Sequence, residues 1–538
     1  MPTFEESFMN FKPPSLPENL RLFPDRVSQA YANKTLFITG GTGFLGKVLL
    51  EKLLRKSPDI KKIYLLLRTK KGIDATQRVK DLFSTVIFDY VKELRGTDFL
   101  NKVIPISGDV SELNLGISDD DRQILTNEVN IVFHVAASVR FDETLKRAVL
   151  LNTRGTKMML ELAKAMNNLK CFVHVSTAYC HPNEKVLHEK SYPPPIDPHK
   201  VIKSMEILDD KTTEVISKQI LGTFPNTYAF TKCLSEDLVF KQMESGLPCL
   251  ILRPSIIIPI WKEPLPGWND NINGPTGILI GAGKGVIRTM YCNNTGYADF
   301  MPVDIAINGI LLFTWNYLEN KDITRNIGHL TSSQEWQVTW QEIIDIGKNI
   351  ATNDVPFNKC IWYPGGSIKQ SKLFHYICVF FFHTIPAYFL DALIYLSGNT
   401  PCLVGIQGRI NKGFEVFEYY TNNQWEFRNE HIHHLRKIMN AREKFEYTLD
   451  GDEMDLKRYF MNCAMGARVY ILKEMPDTLP RARVYIRMLY YVDIIAKLLF
   501  FGSILMLLFN WSDSILVSCS KITEGIKIFC DCVLSFFT

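Results

Sequence analysis

The 538-residue chain predicts an α/β fold: a doubly wound parallel Rossmann-type sheet with a helical C-terminal domain and an apolar C-terminal anchor segment. Three observations carry this. Six short apolar runs alternate with helix-length segments from Thr35 to about Asn349. The first run leads directly into a glycine-rich turn. Beyond Asn349 that pattern stops, and two long apolar stretches appear at 373–396 and 489–511.

The runs are Thr35–Thr39 (TLFIT), 63–67 (IYLLL), Val103–Ser107 (VIPIS), Ile131–His134 (IVFH), 172–176 (FVHVS) and 249–253 (CLILR). They are apolar on both faces, as strands of a buried parallel sheet must be. The segments 47–55 and 144–166 are long enough for crossover helices. Composition agrees with a globular enzyme-sized chain: 46% hydrophobic and 22% charged, which excludes a polytopic membrane protein. Sixty-one basic against 57 acidic residues give +4, which excludes a nucleic-acid binder working by bulk charge. The 12 cysteines are scattered without C-x-x-C or zinc spacing, so free buried thiols in a reducing compartment and no metal are expected. Glu5 and Glu6 in a start without an apolar core give no secretory signal.

After the first run comes Thr39-Gly40-Gly41-Thr42-Gly43-Phe44-Leu45-Gly46. Gly40, Gly43 and Gly46 allow a tight turn and close backbone approach to a pyrophosphate. The helix opening at Phe44 and Leu45 aims its N–H groups at that anion. The second run ends in Arg68, Thr69, Lys70 and Lys71 rather than in an acid. A cation there pairs the ribose 2′-phosphate, so NADPH is favoured over NADH. Asp109 and Val110 follow the third run, where an Asp reaches the adenine edge. Ala136 and Ala137 follow the fourth and permit close cofactor approach; Asn152 falls on the next helix. A packing or turn role is the alternative for each of these.

Tyr228 and Lys232 stand at i and i+4, on one face of a helix. The nearby ammonium is expected to lower the phenol's pKa, and the Tyr then passes a proton to a reacting oxygen. Either Thr177 or Ser176, at the end of the fifth run, would hold a substrate carbonyl.

The glycine turn, Asn152, Ser176-Thr177 and Tyr228/Lys232 together resemble the extended short-chain dehydrogenase/reductases. Leu252-Arg253-Pro254-Ser255-Ile256, Gly274-Pro275-Thr276-Gly277, Pro302-Val303-Asp304 and the aromatic run from Phe414 to Tyr420 narrow the resemblance to fatty acyl-CoA reductases, insect-type in overall look. The resemblance implies NADPH-dependent reduction of a long-chain fatty acyl-CoA to a primary alcohol through an aldehyde-level intermediate. It implies Tyr228, Lys232 and a Thr177 or Ser176 hydroxyl as catalytic groups. It adds Pro254 to the cofactor contacts and Lys232 as a ribose ligand. A membrane-associated hydroxysteroid dehydrogenase is the alternative enzyme, and an inactive NADP-binding scaffold the non-enzyme reading.

Cys180 and Cys233 lie near the catalytic residues but show no base partner in sequence, so an acyl-cysteine route is disfavoured. His174 and His181 read as core or surface histidines rather than catalytic ones. Lys284 and Arg288, after a glycine-rich segment, either meet CoA phosphates or lie solvated. Phe380, Phe381 and Phe382 line an acyl tunnel or, preferably, meet a membrane or a packed core. The domain reading is an arm at 1–33, a reductase unit at 34–355, a C-terminal domain at 356–485, an anchor at 486–511 and a tail at 512–538. Arg481, Arg483 and Arg487 before the anchor place the catalytic unit on the cytosolic side, of endoplasmic reticulum or peroxisome. Pro386 and Asp391 argue that 373–396 lies in or on the leaflet, or packs as a hairpin, rather than spanning. Oligomeric state is not legible.

Overall fold

The computed structural model describes residues 3–70, 72–332 and 335–536, with side chains to 509 and over 522–528. Lys71, residues 537–538 and most tail side chains therefore lie outside the described residues. Seven strands form one parallel sheet: β1 (Thr35–Thr39), β2 (Lys62–Leu67), β3 (Val103–Ser107), β4 (Ile131–His134), β5 (Cys171–Val175), β6 (Cys249–Pro254) and β7 (Ile327–Leu330). The order is β7-β6-β5-β4-β1-β2-β3. Thr39 stands opposite both Leu66 and His134. The order reverses at β1, so the crevice for a ligand opens at its carboxyl end, where the glycine turn lies.

Alternate side chains separate two cores. Leu36, Ile38, Ile63, Leu65, Ile131 and Phe133 face one side, packed under the helices Phe44–Lys56 and Val303–Asn320. Phe37, Tyr64, Leu66 and Val132 face the other, under Gly155–Lys164 and Thr227–Glu244. Both sides are dry, which is why these strands read as continuous apolar runs. β7 escaped that reading because Ile327–Leu330 is IGHL. Gly328 lies where a Cβ would meet Phe313 Cζ at 2.4 Å, so a small residue is needed at a buried position. β5 ends at Val175, leaving Ser176 as the first residue beyond the strand. Of the expected crossover helix 144–166, residues 145–164 are helical and widen into a π-turn at Val149–Arg154, which contains Asn152. Such turns concentrate at functional sites.

The arm is built into the molecule rather than lying over it. Tyr31 is fully buried and its hydroxyl donates to the Leu311 carbonyl at 2.9 Å. Arg26 forks onto Glu443 at 2.8 and 2.6 Å. The two apolar stretches are helices, Lys372–Leu396 and the start of Leu479–Phe536, each long and apolar enough to cross a membrane. Asp391 has a local purpose inside the first. Its carboxylate accepts from the N–H groups of Cys402, Leu403 and Val404 at 2.8–2.9 Å and caps the next helix, Leu403–Asn422.

Candidate active site

Gly40 has φ +75°, and a Cβ there would sit 2.7 Å from the Ala136 amide nitrogen. Only glycine fits where the turn after β1 touches the loop after β4. A Cβ on Gly46 would lie 2.2 Å from the Gly40 carbonyl oxygen, so the helix starts in direct contact with the turn. Gly43 caps the helix without a side chain, and its N–H donates to Gly40. The first-turn N–H groups of Phe44, Leu45 and Gly46 thus face the crevice without intrahelical partners. This cradle fits a pyrophosphate.

Arg68 is half-exposed at the rim, 3.7 Å from an Asp109 carboxylate oxygen. Lys70 is exposed in the following turn. Asp109 also accepts from the Ser111 N–H and hydroxyl, so its carboxylate shapes its own turn as well as facing Arg68. Val110 is buried, and its carbonyl lies 2.7 Å from where a Cβ on Gly155 would be. Sequence reading missed Arg78. It bridges the Arg68 carbonyl (2.6 Å) and the Thr42 hydroxyl (3.2 Å), joining the basic rim to the glycine turn. The signal was available as a fourth cation after Arg68, Lys70 and Lys71, in the first turn of the following helix, Ala75–Phe83.

The loop after β4 is held from both sides. The Ala136 N–H donates to Thr39 Oγ1 at 3.2 Å, and Thr39 is paired with buried His134, whose pKa burial pulls down to about 3. Ala137 is the next, partly exposed residue. Asn152 accepts from the Ser138 N–H (2.8 Å) and donates to the Ser138 carbonyl and to Thr231 Oγ1. The amide expected at the cofactor is therefore spent on fixing the loop and the Tyr/Lys helix against each other. Pro254 ends β6, and its carbonyl accepts from the Ala178 N–H at 2.9 Å.

The helix Thr227–Glu244 brings Tyr228 and Lys232 to the ends of β5 and β6. Asn226 caps it, accepting from the Ala229 N–H. Lys232 is buried and its Nζ donates to the Val175 carbonyl at 2.6 Å. Burial lowers its pKa to about 8, against the pull of Glu236. The phenol of Tyr228 moves opposite to expectation. Burial raises its pKa, and the hydrogen bond to Thr177 only partly opposes this. Lys232 is turned to Val175 instead of to the phenol, so the sequence-based lowering fails. Thr177 thus stands beside Tyr228, while the buried Ser176 Oγ has no hydrogen-bond partner among the described residues.

Beneath them lies a buried cluster. Glu236, two turns past Tyr228, holds Arg253 in a fork at 2.9 and 2.7 Å and meets Cys180 Sγ at 3.2 Å and His181 Nε2 at 3.3 Å. Cys233 Sγ is 3.6 Å from His181 Nδ1. The cysteines therefore do have partners, which corrects the sequence reading. Even so, burial first and then Glu236 push both thiols up, so they stay protonated. His174 is buried with neither ring nitrogen paired among the described residues.

The C-terminal domain reaches the site. Phe141 stacks on Tyr228 at 5.8 Å and meets Tyr420 at 5.5 Å. The Asn226 amide donates to the Tyr420 hydroxyl at 2.8 Å. Tyr179 is boxed by Tyr420, Trp425 and Phe427 at 5.3–5.4 Å. Lys284 is paired with Glu474, and Arg288 with Asp493, so neither is a free solvated charge. Phe380, Phe381 and Phe382 are about half-exposed, and Phe382 meets Phe500 of the C-terminal helix.

Residues 38–310 match the NAD-binding family described as "Male sterility protein", and 382–474 match the Sterile family of the same description. Fatty acyl-CoA reductase 1 of Rattus norvegicus is 37% identical over 86% of this chain and 89% of its own. Fatty acyl-CoA reductase wat of Drosophila melanogaster is 37% identical over 87% and 91%. Among solved structures, the terminal reductase domain of the myxalamid biosynthetic pathway superposes with a TM-score of 0.55 at 17% identity, covering 83% of this chain and 93% of that one. A non-ribosomal peptide synthetase reductase domain from Mycobacterium tuberculosis gives 0.53 at 17%, over 84% and 97%. At that identity they show a shared fold. With its NAD(P)-binding sheet, its glycine cradle and these relatives spanning most of its length, the chain belongs to the fatty acyl-CoA reductase family.

Proposed function

We propose that the protein is an NADPH-dependent, alcohol-forming reductase of long-chain fatty acyl-CoA. The observation that carries this is the placement of Tyr228, Thr177 and Lys232 at the carboxyl end of a sheet whose first turn is a pyrophosphate cradle. Phe44, Leu45 and Gly46 would hold the pyrophosphate, Arg68 and Arg78 the 2′-phosphate, and Ala136, Ala137, Val110 and Pro254 the flanks of the cofactor. When bound, NADPH supplies the hydrides that take the thioester to the aldehyde level and then to the alcohol.

The chain's own groups handle the oxygen. As carbonyl carbon gains an electron pair, its oxygen becomes anionic. The Thr177 and Tyr228 hydroxyls donate to it, and Tyr228 then transfers its proton. A phenol kept neutral by burial suits proton donation. Lys232, held by the Val175 carbonyl, would bond the nicotinamide ribose with its remaining N–H groups. Phe141 and Tyr420 exclude water from this oxygen and form the apolar wall an acyl chain requires. No cysteine nucleophile is needed. Incubation with palmitoyl-CoA and NADPH, with mass-spectrometric detection of hexadecanol and released CoA, tests the reading; oxidation of a sterol instead would replace it.

The reductase unit runs through β7 and the C-terminal domain follows it. The protein associates with a membrane, its catalytic unit facing the cytosol, at endoplasmic reticulum or peroxisome. Leu373, Phe374, Phe381, Tyr388 and Phe389 present one exposed apolar face, continuous through the Phe382–Phe500 contact with Leu498 and Phe501 of the C-terminal helix. Ile486 and Leu489 are buried against protein, and Asp493 is held by Arg288 and the Trp362 indole N–H. The membrane-entering part therefore begins beyond Asp493, later than residue 486.

A further inference from the structure

We propose that Glu236 is a positioning residue of the reaction, the buried counter-charge that keeps Lys232 in its cationic form. It rests on the assignment of Lys232 to the reaction. Tyr228, Lys232 and Glu236 follow at i, i+4 and i+8, so they share one face of the helix Thr227–Glu244. Lys232 Nζ has a carbonyl partner, Val175, and no carboxylate in direct contact among the described residues.

The groups facing the ammonium can be taken element by element. On its own helix stand Tyr228 and Glu236. β4 brings His134 and β5 brings His174, both buried and held neutral by burial. The loop after β5 brings Cys180, whose thiol burial keeps protonated. Among these, Glu236 alone is anionic at neutral pH. Burial favours its protonation, but the Arg253 fork outweighs that and holds it ionised. Arg253 itself comes off β6, is wholly buried, and also donates to the His188 and Lys190 carbonyls. The carboxylate is therefore fixed in place one turn from Lys232.

The sign follows. A buried ammonium loses its proton as pH rises, and activity that needs it falls on the alkaline side. An anion within about 4–6 Å favours the charged form by about 1–3 pH units, and Glu236, out of direct contact and shared with Arg253, acts in the same sense at the low end of that range. Removing it lets burial act alone, so the alkaline limb moves to lower pH.

The test is the pH profile of kcat/KM for NADPH-dependent acyl-CoA reduction by the full chain. Glu236→Gln should shift the alkaline limb down by about one unit or more, with activity recovering at lower pH. Glu236→Gln leaves buried Arg253 without its charged partner, which destabilises by breaking an ion pair. The double variant Glu236→Gln/Arg253→Met removes the pair together and keeps the fold testable. It should show a shift of the same sign, smaller because the Arg253 cation leaves as well. An unmoved limb in a folded variant, with only melting temperature or expression reduced, overturns the inference and leaves Glu236 a purely structural partner of Arg253. Lys232→Ala separates the two levels. If that variant still turns over, the role of Lys232 fails and this inference with it. If it is inactive while the Glu236→Gln limb is unmoved, only this inference fails.

Discussion

Gly46→Ala is the sharpest test of the cofactor cradle. The added Cβ would lie 2.2 Å from the Gly40 carbonyl oxygen and 2.8 Å from the Gly41 Cα. Both neighbours are backbone and cannot swing aside, so the first turn of Phe44–Lys56 must retreat by about 1 Å to reach ordinary contact. That movement takes the N–H groups of Phe44 and Leu45 off the pyrophosphate. Misplacement of about 1 Å costs roughly a hundredfold where geometry matters, and overpacking costs about 1–3 kcal/mol of stability. Gly347→Ala is the internal control, because it lies in the helix Trp340–Asn349, outside the cradle, and a Cβ there meets nothing closer than Leu279 Cδ1 at 4.0 Å. NADPH titration by fluorescence, alongside a thermal melt, should show Gly46→Ala weakened by roughly ten- to a hundredfold through the lost N–H bonds to the pyrophosphate and Gly347→Ala changed by less than about threefold, under 1 kcal/mol. Equal affinities for the two variants would refute the cradle.

Tyr228→Phe should lower kcat by about 10²–10⁴ while NADPH affinity stays near wild type, since the ring still stacks on Phe141; near-normal turnover would remove the phenol from the chemistry. Arg68→Ala should weaken NADPH by roughly ten- to a hundredfold and NADH little, whereas Arg78→Ala should weaken both, because Arg78 also holds the Arg68 carbonyl and Thr42; competitive binding of the two cofactors distinguishes them. Deleting 498–538, which spares the Asp493 contacts with Arg288 and Trp362, should move the protein into the soluble fraction of a carbonate wash in part only, with the helix Lys372–Leu396 retaining the rest; complete retention would show that the C-terminal helix is not the main anchor.

What the sequence made legible follows from how local each requirement is. Six strands could be read because burial on both faces writes an unbroken apolar run, and Gly40 and Gly46 because a backbone contact tolerates no substitute. β7 could not, since Gly328 and His329 answer to tertiary neighbours, Phe313 and Arg253. Tyr228 and Lys232 were readable as a spacing, but the phenol's environment was not. Its ring partner Phe141 and the neighbouring Tyr420 come from distant segments, and burial outweighs the ammonium. The partners of Cys180, Cys233 and Glu236 were hidden for the same reason. Lys284 and Arg288 looked available because their acids, Glu474 and Asp493, lie about 200 residues on.

The second of those pairs also bears on how the exposed apolar surface is joined to the candidate site. Asp493 sits on the C-terminal helix, yet its carboxylate is spent on Arg288 and Trp362, groups of the body of the protein. The next apolar element, Lys372–Leu396, is tied through Asp391 to the start of Leu403–Asn422. The far end of that same helix carries Tyr420, hydrogen-bonded to Asn226, the cap of the helix that bears Tyr228. One 20-residue helix, about 30 Å long, therefore runs from the exposed apolar surface to the cap of the helix that bears Tyr228. The C-terminal domain packs directly on the candidate site, and without it Phe141 loses Tyr420 and the helix Thr227–Glu244 loses the partner of its cap.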